Sequence, residues 1–257
     1  MESDDLEARM RAGEVFHSMK LLSGAWTVIR ADGRTFSRFT EKRFEKPFDA
    51  RFRDLMMTAA QALLREFNGI YAYTESDEVS VLFPPQWDMF SRELEKIVSL
   101  SASIVASAFT HAGGEAAHFD SRVWLGADRE AVIDYFRWRQ SDATRCALNG
   151  WCYWTLRKKG VSVADATRTL EEKPVSFKNE LLFQNGINFN DLPLWQRRGI
   201  GIYWEDYERE GFNPVRNEKV MAVRRRLKID DSLPMKEEYA SFLDGILASA
   251  VEGRAIQ

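Results

Sequence analysis

The chain has 257 residues, 45% of them hydrophobic, and its 36 Lys and Arg against 39 Asp and Glu give a formal net charge of −3. That length suits one large domain or a core with an extension, and the mild acidity excludes a globally basic nucleic-acid binder. No stretch approaches the roughly 20 apolar residues of a membrane span, and the acidic, helix-patterned start, MESDDLEARMRAGEVF, is unlike a signal peptide; a soluble, cytoplasmic protein is expected.

In chain order, SGAWTVIRADG (23–33) carries a strand signal from Trp26 to Ala31 and ends in a glycine. Residues 49–67 place Phe52, Leu55, Met56, Ala59, Ala60, Leu63, Leu64 and Phe67 on one helical stripe, with Asp49 as its N-cap. YAYTESDEVSVLF (71–83) reads as two short strands folded back, with Glu75, Ser76, Asp77 and Glu78 at the bend. Residues 87–114 read as a second long helix, with Leu94, Ile97, Val98, Ser101, Ile104, Val105 and Ala108 on its core side. Gly113 and Gly114 end it, as C-terminal glycines do. AAHFDSRVWLG (116–126) reads as another strand.

Strand, helix, strand, strand, helix, strand is the ferredoxin-like βαββαβ pattern, an α+β fold with an antiparallel sheet and two helices on one face. In its usual strand order the first and third strands lie side by side at the centre. The end of the first carries Asp32 and the third begins near Asp77 and Glu78, so Asp32 and Asp77 are expected across from each other at one edge. Two uncompensated carboxylates raise each other's pKa. A divalent cation removes that conflict and can organise phosphate oxygens. Gly33 permits close backbone approach. The two cysteines, Cys146 and Cys152, lie six apart in one helical pattern, so no disulfide is expected. With only His17, His111 and His118 besides, no zinc site is expected, and a metal would be held by oxygen, as magnesium or manganese is.

The remainder reads as a helical and β-hairpin extension (127–257), expected to pack with residues 1–126 into one compact body. Asp128 caps a helix carrying Val132, Ile133, Tyr135 and Phe136, and another long helical pattern covers 142–159. Ser162 and Asp165 resemble a capping box. SFKNELLFQNG (176–186) is helical in pattern, GIGIYWEDY and EKVMAVRRRLKI could pair as strands, and the C-terminal part is more irregular. Basic clusters at Arg137 and Arg139, Arg157 to Lys159, Arg197-Arg198, and Arg224 to Arg226 with Lys228 allow a phosphate-binding surface without establishing one.

ADGRTFSRFTEKRFEKPFDARFRDLM followed by TESDEVSVLF resembles the tRNA-His guanylyltransferase-like family of reverse (3′-5′) polymerases. The likeness continues through HFDSRVW, RQSD, FKNELLF and GINFNDLPLWQRRG. The resemblance implies a palm-like catalytic core over 1–126 that adds nucleotides to the 5′ end of tRNA. It also implies two Mg2+ ions, ATP or GTP as activating co-substrate, and a homotetramer. It assigns Asp32, Asp77 and the Gly33 carbonyl to the metals, and Arg34, Thr35 and Phe36 to the loop around the triphosphate. Lys46 is assigned to nucleotide handling and 5′-end activation, and Ser76 to a place beside the metal-site aspartate. Glu78 follows the acidic pair without a settled role. Lys178 and Asn179 fit a polar motif facing nucleotide or RNA.

One departure matters. Members specialised for tRNA-His carry HINNLYN soon after RQ-x-D, whereas Ala143 to Gly150 here read ATRCALNG. The chain thus resembles the bacterial and archaeal "-like protein" branch, which prefers template-dependent repair of 5′-truncated tRNAs. The alternatives are a tRNA-His guanylyltransferase, a nucleotide cyclase on the same core, and a non-catalytic RNA-binding module. The last would want exposed aromatics on its sheet and has no use for clustered aspartates.

Overall fold

A computed structural model describes residues 2–213 and 217–251. A short N-terminal helix, α1 (Glu2–Arg11), precedes β1 (Trp26–Gly33). The core continues through α2 (Phe36–Glu41), α3 (Ala50–Glu66), β2 (Tyr71–Glu75), β3 (Glu78–Phe83), α4 (Leu94–Gly113) and β4 (Phe119–Gly126). Then come α5 (Arg129–Lys158), α6 (Val163–Leu170), α7 (Val175–Phe183), α8 (Leu194–Arg198), the hairpin β5 (Ile200–Asn213) and β6 (Glu218–Asp230), and α9 (Lys236–Val251). The expected βαββαβ order is present, with β1 and β3 central in one antiparallel sheet ordered β4-β1-β3-β2-β5-β6. The extension's hairpin therefore continues the core's own sheet, through Tyr71 to Thr74 of β2 paired with Ile200 to Tyr203 of β5.

The periodicity of α3 and α4 becomes packing. Met56, Ala59, Leu63, Ile97, Val105 and Phe109 bury one face of the sheet at Ile29, Ala31, Val79 and Val81. The opposite face is covered as well. Val132 and Phe136 of α5 and Tyr239, Leu243 and Leu247 of α9 pack on Val28, Tyr71, Tyr73 and Leu82. With helices on both sides, β3 is buried along its whole length, its polar Glu78 and Ser80 included.

Local signals act as expected at several ends. The Asp49 carboxylate accepts the Arg51 N–H at the start of α3, and that of Asp128 accepts from Ala131 at the start of α5. Ser162 and Asp165 bond reciprocally ahead of α6. Gly114 ends α4 in the left-handed region at φ 70°. Cys146 and Cys152 are both free thiols.

Three expectations need correction. Helix α4 starts at Leu94 rather than near 87, because Phe90 and Ser91 sit at positive φ in a separate 3-10 turn. The two helices expected between 128 and 159 are one 30-residue helix, α5. Its polar middle hid the continuity: Arg139 and Gln140 are buried, Gln140 donating to the Pro234 carbonyl at 2.9 Å. Finally, α9 replaces the irregular C-terminal part, with Tyr239, Leu243 and Leu247 on one stripe.

Candidate active site

The bend between β2 and β3 is two residues long, Ser76 and Asp77, closed by the pair Glu75 and Glu78. Ser76 takes a positive φ of 49°, and its hydroxyl donates to Asp77 Oδ1 at 3.1 Å. The register differs by one from the expectation: Asp32 faces Glu78, and Asp77 joins β1 one step on, where the Gly33 N–H donates to its carbonyl at 3.0 Å. The turn keeps two residues out of the ladder, so β3 begins to pair at Glu78. Asp32 and Asp77 nonetheless interact. Burial pushes the Asp77 carboxyl up, Asp32 pushes it further, and the Ser76 hydroxyl and the Lys46 ammonium oppose the rise.

Beyond Gly33 the chain turns sharply. A Cβ at Gly33 would strike the Phe36 ring, so glycine is required for this close approach. The Arg34 N–H donates to the His118 carbonyl at 2.8 Å, Thr35 sits at φ 60°, and the side chains of both are exposed. Phe36 is buried among Phe39, Phe52, Phe109 and Phe119. That ring cluster anchors the loop, so Phe36 acts as its foot while Arg34 and Thr35 face solvent.

Asp77, Ser76, Lys46 and Phe36 open onto one cavity of about 460 Å³. Phe44, Phe48, Phe52, Tyr153, Trp154 and Trp195 give it an aromatic wall. Lys46 donates to the Thr40 hydroxyl and lies 5.8 Å from the centre of the Trp154 ring. Burial pulls its ammonium below the ordinary value, against Glu41 and Asp77. On the helix where the HINNLYN motif is absent, α5 lines the cavity with Ala143, Cys146, Ala147 and Gly150. A cationic amine, an acidic bend and an aromatic wall around such a volume suit a nucleoside with its phosphates.

Other expected residues lie elsewhere. Lys178 and Asn179 sit on α7, outside the lining of this cavity, and the Lys178 carbonyl accepts from the Cys152 thiol at 3.3 Å. Arg197 donates to the carbonyls of Leu192 and Asn190, and Arg198 to that of Leu233, so both half-buried guanidinium groups also hold the backbone around α8. Arg139 is buried, against Glu78 and Glu75. Its partnership with the bend was missed, although its place on the stripe Val132, Phe136, Arg139, Ala143 marks a cation facing the core. The aromatic wall from α5 and α8 was missed too, because nothing local links Trp154 or Trp195 to the bend.

Among the described residues no three His, Cys, Asp or Glu side chains converge as a ready-made metal cage. The donor set suits magnesium all the same, since that ion is commonly held by one or two carboxylates with water and substrate phosphate completing its shell. Asp77, driven toward protonation by burial and by Asp32, gains from a cation placed between them.

The family model described as tRNAHis guanylyltransferase matches residues 7–127, and its C-terminal-domain companion matches 130–239. A probable tRNA(His) guanylyltransferase of Dictyostelium discoideum is 34% identical over 89% of this chain and 93% of its own length. The chain belongs to the tRNA-His guanylyltransferase family. A mouse relative, also named a probable tRNA(His) guanylyltransferase, is 32% identical over 81% of this chain and 76% of its own. The chain spans only 38% of tRNA(His) guanylyltransferase 1 of Arabidopsis thaliana, at 36% identity. Among solved structures, a bacterial tRNA(His) guanylyltransferase (Thg1)-like protein in complex with GTP superposes with TM-score 0.71 at 26% identity, covering 95% of this chain and 99% of that one. A structure described in the same words but with ATP gives 0.72 at 25% identity, covering 94% and 99%. The tRNA-His guanylyltransferases are nucleotidyltransferases that act on tRNA, as the sequence resemblance implied.

Proposed function

We propose that the protein is a template-dependent 3′-5′ RNA polymerase, a nucleotidyltransferase that repairs 5′-truncated tRNAs by adding nucleotides to their 5′ end. The observation that carries the reading is the cavity itself: Asp77, Lys46 and an aromatic wall line one space of about 460 Å³. Template dependence is supported by α5, whose Ala143, Cys146, Ala147 and Gly150 offer a base neither imidazole nor amide. Base choice then falls to pairing with the opposing RNA strand.

In this reading a 5′-phosphate oxygen of the RNA attacks the α-phosphorus of ATP or GTP, and pyrophosphate leaves. The 3′-hydroxyl of the incoming nucleoside triphosphate then attacks the activated 5′ phosphorus, and the nucleoside monophosphate leaves. The pyrophosphate at the new 5′ end is removed or kept to drive another addition. Asp32, Asp77 and the Gly33 carbonyl would hold two Mg2+ ions, which when bound supply charge neutralisation to the phosphates. The Arg34 to Phe36 loop, with Ser76 beside it, wraps the triphosphate through the backbone amides of Thr35 and Phe36, while the Arg34 N–H stays on the His118 carbonyl; Lys46 sets the phosphate chain against Asp77. Lys178 and Asn179, outside the cavity, contact the RNA. The protein works in the cytoplasm as a homotetramer, which sedimentation tests directly.

The relatives' names favour a second reading, addition of a single G to tRNA-His. A 5′-monophosphorylated tRNA lacking its first residue, offered each nucleotide with ATP and magnesium, separates the two. Incorporation only of the complementary base supports repair. Preferred G addition to full-length tRNA-His, whatever the opposing base, overturns it.

A further inference from the structure

We propose that Arg139 is a positioning residue, through which α5 of the C-terminal half sets the geometry of the acidic bend. The inference rests on the reading of Asp32 and Asp77 as cation ligands.

Its guanidinium grips Glu78 with two nitrogens, Nε at 2.8 Å from Oε1 and Nη2 at 2.7 Å from Oε2. The same Nη2 lies 3.4 Å from Glu75 Oε1 and 3.1 Å from Asp142 Oδ2. Glu75 and Glu78 are the residues on either side of Ser76-Asp77, so one cation clamps both shoulders of the bend that presents Asp77. Two bonds to backbone carbonyls complete the clamp: the Thr74 hydroxyl donates to that of Glu78 at 2.8 Å, and the Gly33 N–H to that of Asp77. The clamp is itself held. Ser80 bonds Glu78 Oε1 and the Tyr135 hydroxyl, Arg145 holds Asp142, and the exposed Trp138 ring lies 4.5 Å from the Arg139 guanidinium.

A purely structural role explains this arrangement poorly. Arg139, Glu75 and Glu78 have side chains only 7–10% exposed. Replacing a buried ion network by apolar residues of similar volume is often neutral or stabilising, so stability alone gives little reason for this one. The fork also answers the open role of Glu78. Both its oxygens accept from Arg139, with Ser80 also on Oε1 and Arg30 Nε 3.8 Å from Oε2, so it anchors the bend rather than facing the phosphates.

The test uses the full chain and Mn2+ as the probe, with free Mn2+ read by electron paramagnetic resonance and folding by thermal melting. Wild type, R139K and W138L are compared, with D77N as the reference for loss of the site. R139K keeps the charge but loses the planar fork. It is expected to melt close to wild type and to bind Mn2+ about tenfold more weakly, the scale seen when an outer-shell partner is removed. Nucleotide addition should fall in kcat more than in KM. W138L, which leaves every ion pair intact, should move the same way by less. Unchanged Mn2+ affinity in a folded R139K overturns the proposal, and if R139K fails to fold, unchanged affinity in W138L does. Wild-type Mn2+ binding insensitive to D77N also overturns it. If R139K weakens Mn2+ binding while wild type adds no nucleotide to any tRNA, the polymerase reading falls and the positioning role stands.

Discussion

Asp32 stands directly across the sheet from Glu78, and the same Glu78 is forked by Arg139 from the helix on the far layer. Asp77 therefore meets Asp32 from a turn rather than from a ladder. Its carboxyl, raised by burial and by Asp32, is the strained member of the pair. Asp77→Asn should abolish nucleotide addition, yet its melting temperature in EDTA should equal or exceed that of wild type. Magnesium should raise the melting temperature of wild type and leave that of D77N unmoved, because only a ligand bound to the folded state stabilises it. A D77N protein as active as wild type would remove Asp77 from the site.

The thiol of Cys146 lines the cavity; the residue is exposed, yet desolvation by its surroundings, reinforced by Glu75 and Asp142, pushes the thiol up to about 11. At pH 8 only on the order of a thousandth of such a thiol is thiolate, the reactive form. Iodoacetamide labelling should be slow at pH 8 and accelerate about tenfold per pH unit up to pH 10. Saturating GTP or ATP should slow it further by covering the wall. Cys152, with no exposed surface, should remain unlabelled in the folded protein, which mass spectrometry of the two peptides resolves.

Asp49 caps α3 and binds Arg51, and that bond, with those from the Glu45 and Arg51 amides, holds its carboxyl well below the ordinary carboxylate value. The sign follows from linkage: a depressed folded-state pKa gives stability that is present above the unfolded value near 4 and is lost as pH falls. Asp49→Asn keeps a capping side chain but loses the charge. It should cost roughly 0.5–1 kcal/mol at pH 7, a difference that shrinks toward zero below pH 3. Denaturant melts at the two pH values check this.

Gly199 joins α8 to β5 at φ 70°, and a Cβ there would come within 2.5 Å of the Tyr73 ring carbon that carries the hydroxyl. Tyr73 also donates that hydroxyl to the Arg198 carbonyl, so the ring has no room to withdraw. Gly199→Ala should destabilise the protein by more than about 1 kcal/mol. An alanine variant that melts with wild type would mean the joint relaxes freely.

Strand order and acidic bend were legible because their signals are local: Asp-Gly after a strand, carboxylates between two β-patterned runs, glycines at a helix end. The resemblance then named Lys46 and Gly33; Lys46 lines the cavity, and Gly33 makes the close approach to the Phe36 ring. What stayed hidden depends on distance in sequence. Arg139 lies 61 residues from Glu78, and its helical stripe marks a core-facing cation without naming its partner. Trp195 meets Phe48 at a ring distance of 5.6 Å, with nothing in either segment to announce it. Even the one-residue register error has this origin, since a hairpin's pairing is set by how many residues the turn consumes.

The continuity of the sheet has a consequence for biosynthesis. Although the two family models divide the chain near residue 128, β2 finds its outer partner only when Ile200 to Tyr203 arrive. The layer over Tyr71, Tyr73 and Leu82 is complete only with α9. A nascent chain halted at the apparent boundary presents an unpaired strand edge beside bare aromatic surface, the combination that invites strand-to-strand aggregation. A ribosome-bound 1–126 fragment should therefore depend on chaperones, while release of the last helix makes the chain safe.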